Sequence, residues 1–227
     1  MRHSMRDAFW SAIHSLPESF WRQFTWLGDS GLLLPAALLI AVWLASARHT
    51  WSAAWAWVLI FGGASSAVLA SKLAFLGWGI GSASLNFTGI SGHTMLSAAV
   101  WPVALWLVAS RGTHRLRVAL AIAGWLLAAG IGVSRLALFA HSWSEVVSGF
   151  LLGACASAAF LAVQHRMPHP RLRASMVVLS LLLPLVYQQP GNAAPTQGLL
   201  ERAAVRLAGI ERPFTRGDLL GREGKAL

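Results

Sequence analysis

The chain has 227 residues, of which 56% are hydrophobic and 11% charged, whereas average soluble domains carry about 25% charged residues. That composition excludes a disordered, collagenous or ordinary water-soluble chain and points to one integral membrane domain. Eighteen Lys and Arg against eight Asp and Glu give a net charge of +10. The basic residues sit in short gaps between apolar runs, where they read as topology signals and headgroup contacts rather than as a nucleic-acid surface.

In chain order, the first 29 residues come as an interfacial segment. They contain Asp7 and Glu18 and lack an apolar core of signal-peptide length. Phe9, Trp10, Ile13, Phe20, Trp21, Phe24 and Trp26, interspersed with Arg6 and Arg22, suit short amphipathic helices at a headgroup boundary. Charge-free intervals follow at Ser30 to Ala47, His49 to Ser71, Thr94 to Ser110, Val118 to Ser134, Val146 to Gln164 and Ala174 to about Tyr187. At about 1.5 Å per residue most of them match a hydrocarbon core of about 30 Å, and helices are the expected spanning form. The expected fold is therefore all-α, a bundle of six transmembrane helices over 30–187, followed by a basic tail over 188–227. The tail opens on a turn-rich stretch, Gln188 to Asn192, and carries one helix-patterned piece, Leu199 to Ile210. Beyond it the sequence is polar, and the expectation is a loosely ordered end. Cys155, the lone cysteine, has no ligand-spaced companions and reads as a small core residue.

Alternation through the bilayer places Arg48, Arg111, Arg115, Arg117, Arg166, Arg171 and Arg173 on one side, against Lys72 and Arg135 in the loops of the other. The positive-inside rule makes the first side cytoplasmic and turns the second, with both termini, to the periplasm or exterior of an inner (plasma) membrane. Trp43 and Trp51 on the inner side and Trp26, Trp78 and Trp143 on the outer read as aromatic belts. His3, His14, His49, His114, His165 and His169 read as surface or headgroup histidines. Gly149, Gly153, Ala154, Ala156 and Ser157 read as a close helix-packing surface.

The outer side collects something else. Lys72 closes the second interval, Ser91-Gly92-His93 opens the third, Ser134-Arg135 closes the fourth, and His141 with Glu145 opens the fifth. Ionisable groups at a membrane are costly, so a gathering of them is a functional hypothesis. Two histidines beside Lys and Arg suit a metal cation poorly, and an anion is the better guest. Arg135 offers a planar fork, Lys72 a point charge, and Ser91, the Gly92 amide and the helix start supply neutral donors for phosphate. His141 and Glu145 are four apart on one helical face, so the carboxylate can hold one ring nitrogen and leave the other as a nucleophile, while His93 can protonate a departing oxygen. Each residue also has a plainer reading. Ser142-Trp-Ser-Glu145 is a capping box, Ser91-Gly92 an ordinary helix entry, Lys72 a snorkelling lysine and His93 an interfacial histidine.

At these positions the sequence resembles the type 2 phosphatidic acid phosphatase family of membrane lipid phosphatases, which shares its site with vanadium haloperoxidases. The family pattern runs Lys, six residues, Arg-Pro; then Pro-Ser-Gly-His; then Ser-Arg, five residues, His, three residues, Asp. Here the last part is Ser134-Arg135-Leu-Ala-Leu-Phe-Ala-His141-Ser-Trp-Ser-Glu145, with every spacing kept and Glu for Asp. The middle is Ile90-Ser91-Gly92-His93, without the Pro, and after Lys72 the Arg-Pro positions hold Gly79 and Ile80. The resemblance covers roughly residues 50–165. It implies a metal-independent phosphatase without cofactor in which His141 attacks phosphorus, Glu145 orients it, His93 is the general acid, and Lys72, Ser91, Gly92 and Arg135 hold the phosphoryl oxygens. The implied substrates are phosphorylated membrane lipids, namely undecaprenyl pyrophosphate, phosphatidylglycerol phosphate, phosphatidic acid or lipid A phosphate. A lipid phosphotransferase using the same phosphohistidine, and a non-catalytic lipid-phosphate binder, are the alternatives.

Overall fold

A computed structural model describes residues 7–11, 13, 15–167, 172–187 and 196–223. His3, His14, His169, Arg171 and the Gln188 to Asn192 stretch lie outside the described residues. Each of the six apolar intervals named above is helical over most of its length. After α1 (Glu18–Trp26) come α2 (Ser30–Ala45), α3 (Trp51–Trp78), α4 (Gly92–Val108), α5 (His114–Ala137), α6 (Trp143–His165) and α7 (Ala174–Tyr187). Two tail helices follow, α8 (Thr196–Ala208) and α9 (Arg216–Glu223). Among the described residues the sole β pairing is an isolated bridge, Ser82 to Phe87.

Four stretches are long and apolar enough to cross a membrane: Glu18–Ala45, Arg48–Trp78, His114–Ala137 and Trp143–His165. The protein is thus an all-helical, membrane-embedded chain. The other two apolar helices fall short for different reasons. α4 has 17 residues and α7 has 14, about 26 and 21 Å of rise. Yet α4 is the centre of the bundle, packed between α5 and α6 with residues from Thr94 to Leu107 buried on nearly every face. A helix apolar all round and enclosed by its neighbours is what such a sequence folds into.

The helix ends follow from local chemistry. Asp29 Oδ1 accepts the Gly31 amide at 2.7 Å and starts α2; Thr113 caps α5; Ser142 and Glu145 form a reciprocal capping box on α6. α3 does not stop at Ser71 as its charge-free interval suggests. Leu73 to Trp78 remain apolar and helix-compatible, so the helix runs through Lys72 and ends only where Gly79 turns left-handed at φ 67°. Lys72 therefore stands on the wall of a helix rather than at its tip.

Small residues let α6 approach α4. A Cβ on Gly149 would lie 2.6 Å from the Ser91 carbonyl oxygen, and one on Gly153 would collide with the Met95 carbonyl. The packing reading of this stripe holds. Two other expectations are corrected. Trp43 is 2% exposed and belongs to the core rather than to an aromatic belt, because the C-terminal end of α2 is covered by its neighbours. Cys155 is exposed, on the side of α6 away from Gly153 and Ala156. His49, His114 and His165 are exposed as expected.

The tail departs most from expectation. α8 and α9 pack on the last turns of α3, where Phe75, Leu76, Ala204 and Leu219 form a second small core with Leu200 and Phe214 at its edge. The segment beyond Ile210 is tied down by the Phe214 amide donating to the Leu76 carbonyl at 2.9 Å. Polar composition concealed this because its anchors are few and spaced by charges that pair with one another.

Candidate active site

One end of the bundle holds a cavity of about 660 Å³ whose wall includes Lys72 from α3, Gly92 and His93 from α4, Arg135 from α5 and His141 from the α5–α6 turn. Thr88, Gly89 and Asp29 add to the polar part, the tail contributes Gln197, Glu201, Thr215 and Arg216, and Leu34, Val68, Leu69, Met95 and Leu96 form an apolar flank. Residues far apart in the chain thus converge because α3, α4 and α5 present their ends, or in the case of Lys72 a late turn, at the same level.

Glu145 is the hub. Its side chain is fully buried, and it reaches past the cap it makes to four other groups. Oε2 lies 2.7 Å from His141 Nδ1 and accepts the Ser142 amide at 3.1 Å. Oε1 accepts both the amide and the hydroxyl of Thr88, at 2.7 and 2.6 Å. Arg216 Nη2, from the tail, donates to both oxygens at 2.8 and 2.9 Å. The capping and pairing readings of Glu145 are therefore not rivals: the same carboxylate closes the capping box and grips the imidazole. A buried carboxylate is tolerated only when so satisfied.

With Nδ1–H committed to Glu145, the Nε2 of His141 is the nitrogen without a hydrogen-bond partner among the described residues, and the ring is 14% exposed on the cavity wall. Burial pushes its protonation below the ordinary range, the Glu145 contact pulls the other way, and Arg135 and Lys72 push it down again. The imidazole is thus held neutral, with a lone pair to offer.

The cations are only partly satisfied. Arg135 Nη1 donates to Thr25 in α1 at 3.1 Å, while its Nε is buried without a hydrogen-bond partner. Lys72 has no salt-bridge or hydrogen-bond partner among the described residues; its stem lies against Gly89, where a Cβ would sit 3.2 Å from Lys72 Cγ. Two cations short of acceptors in one cavity are completed by an anion. Across from His141, His93 Nε2 stands 3.6 Å from Asp29 Oδ2. Asp29 is a residue that sequence reasoning passed over; its signal was an N-cap position just before the first apolar interval.

Ser91 is placed differently from the other members of the set. It is fully buried, its hydroxyl is 2.9 Å from that of Thr94, its amide donates to the Glu145 carbonyl, and it is not among the wall residues. Gly79 and Ile80, which occupy the Arg-Pro positions of the resemblance, form the helix stop and an exposed residue beyond it.

A family model described as the PAP2 superfamily matches residues 78–168. A Klebsiella pneumoniae protein named "uncharacterized 22.5 kDa protein in cps region" is 45% identical over 202 residues, covering 88% of this chain and 97% of its own length. The chain belongs to the PAP2 superfamily. No solved structure matches it. The matched stretch carries His93, Arg135, His141 and Glu145, whereas Lys72, Asp29 and Arg216 fall outside it. PAP2 membership points to phosphatase chemistry on phosphate esters. Among the described residues no group of three or more His, Cys, Asp or Glu stands at metal-binding distance; the cavity gathers cations instead.

Proposed function

We propose that the protein is an integral membrane phosphatase that hydrolyses a phosphomonoester or pyrophosphate of a lipid through a phosphohistidine. The observation that carries this reading is the pairing, in one cavity, of a neutral His141 held by Glu145 with the unsatisfied cations Arg135 and Lys72. His141 Nε2 attacks phosphorus as the P–O bond to the lipid breaks, and the imidazolium is stabilised by Glu145. His93 gives the departing oxygen a proton, then takes one from the water that attacks the phosphohistidine and releases phosphate. Arg135, Lys72 and the Gly92 amide at the α4 N-terminus neutralise the equatorial oxygens, the main task in phosphoryl transfer. Ser91 contributes by fixing the helix entry, through its amide and its bond to Thr94.

The lipid follows from the apolar flank. Leu34 and Leu69 line the cavity and are also 42% and 46% exposed, so the charged pocket opens onto a surface fit for acyl or prenyl chains. Undecaprenyl pyrophosphate, phosphatidylglycerol phosphate, phosphatidic acid and lipid A phosphate all fit that description. The same reading has six apolar helices crossing an inner membrane, with the cavity on the periplasmic or exterior face. Phosphate release from a panel of these lipids by the purified protein, with EDTA present, tests it. Turnover that persists under chelation is expected; complete loss on chelation sinks the metal-independent route. A product in which the phosphoryl group moves to another lipid without free phosphate would make the protein a phosphotransferase.

A further inference from the structure

The C-terminal segment delivers a side chain to the site. Arg216 opens α9, and its guanidinium spans three parts of the chain: Nη2 bonds both oxygens of Glu145 and reaches the Thr88 hydroxyl at 3.2 Å, while Nη1 donates to the Asn86 carbonyl and side-chain oxygens at 2.8 and 2.6 Å. We propose that Arg216 is a positioning residue for the nucleophile: through Glu145 it sets the orientation and protonation of His141. The proposal rests on the reading of His141 as the attacking base.

An exposed Arg on a surface carboxylate would count for little. Here the carboxylate is fully buried and the guanidinium two-thirds so, and the segment that delivers it is anchored independently. Arg212 grips Asp218 through two bonds of 2.8 and 2.9 Å, Asp218 accepts the Thr215 amide and hydroxyl, and Leu219 is buried against Phe75 and Leu76. Asn86, which sits at φ 48°, is held in that left-handed conformation by the same guanidinium.

The consequence is electrostatic. His141 is faced by Glu145 of α6, Lys72 of α3, His93 of α4 and Arg135 of α5, and behind Glu145 stands Arg216 of α9, with Asp29 on the far side of His93. Glu145 alone would favour the imidazolium; Arg216 offsets part of that negative charge and leaves the imidazole free to attack. If Arg216 is removed, Thr88 and Ser142 still hold the carboxylate, and His141 feels its charge in full.

The test uses the full chain in lipid nanodiscs, with the His141 protonation midpoint read by NMR of labelled histidine and turnover on the lipid panel read in parallel. Arg216→Gln should raise the midpoint by about 1 pH unit, the scale of a nearby charge, and lower kcat below neutral pH more than it raises KM. Arg216→Lys should return the midpoint close to that of the parent while recovering only part of kcat, because the two-oxygen grip is lost. Asp218→Asn, which leaves Arg216 in the chain but loosens its anchor, should move the midpoint in the same direction by less. A midpoint unchanged or lowered in Arg216→Gln overturns the proposal, as would equal loss of melting temperature in all three variants with no movement of the midpoint. Should the parent protein release phosphate from no lipid, the phosphatase reading fails, and the NMR midpoint still decides whether Arg216 governs His141.

Discussion

At the scale of single residues, substitution separates the roles that the geometry suggests. His141→Ala removes the attacking nitrogen and should abolish turnover in the phosphate-release assay, while His93→Ala should slow the first step by about 10²- to 10⁴-fold, most for poor leaving groups. Glu145→Gln is the informative change, and the structure alters what it means. Sequence alone suggests that Gln can replace Glu in a capping box. But both oxygens of Glu145 are acceptors, one for His141 and Ser142 and the other for Thr88 and Arg216, so whichever way an amide turns, its NH₂ meets donors. Glu145→Gln should therefore lower the melting temperature as well as the rate, the latter by about 10²-fold or more. A folded Glu145→Gln protein with parental turnover would leave Glu145 as a cap and nothing else. The pH profile carries its own sign. Burial depresses the His141 protonation midpoint, so the free base persists below pH 6.5, and kcat/KM should fall only as acid takes the ring through a midpoint lower than that. The unfolded chain takes up this proton first, near pH 6.5, so folding stability falls from pH 6.5 down to the lower folded midpoint, and activity is lost as pH drops through that midpoint. An acid limb centred above pH 6.5 would contradict a neutral, buried nucleophile.

At the scale of elements, α4 shows how packing rather than length places the site. Its entry carries Gly92 and His93, and it can lie against α6 only because Gly149 and Gly153 bring no Cβ to the contact with Ser91 and Met95. Gly153→Val would force the helices apart, and overpacking of this kind costs about 1–3 kcal/mol or more; a reduced melting temperature with weakened turnover is the expected result, read by thermal unfolding in detergent. An unchanged melting temperature would mean the two backbones are not in contact there. Much of this was legible in advance. The apolar intervals located the helices of the bundle, and the fixed spacing of Arg135, His141 and Glu145 located the hub, although His141 precedes the Ser142 N-cap and meets Glu145 across the capping box rather than along one helical face. What stayed hidden depends on tertiary packing. Thr88 and Asn86 sit in a loop with no periodic signal, Asp29 looks like any N-cap, and Arg216 follows a polar run whose few apolar anchors, Phe214 and Leu219, become meaningful only once Phe75 and Leu76 are in place. Trp43 departs from expectation for the converse reason: an aromatic residue near the end of an apolar run suits an interface and a core equally well.

For the molecule as a whole, the distribution of charge sets a topology that can be checked directly. Arg48, Arg111, Arg115, Arg117 and Arg166 lie at the end opposite the cavity, in short loops where the positive-inside rule applies. The cavity end also carries the tail's basic residues, which by count alone would blur the rule. The structure shows how that end is balanced: Asp218 is paired with Arg212, whose bond holds its carboxyl well below the usual range, and Arg216 is absorbed by buried Glu145. With α8 and α9 packed on the cavity-side end of α3, the tail lies at the same end as the site; on the six-span topology proposed above, α7 crosses despite its rise of about 21 Å. A crossing that short is accommodated by local thinning of the bilayer. Single cysteines placed by Arg48→Cys, Thr113→Cys, Leu85→Cys and Glu211→Cys, in a chain whose Cys155 is first replaced by Ala, report this to a membrane-impermeant thiol reagent in intact cells. Positions 85 and 211 should label while 48 and 113 stay protected until the membrane is opened. Labelling at 48 and 113 with protection at 85 would invert the orientation, and labelling at 85 with protection at 211 would show that α7 does not cross and would part the tail from the site.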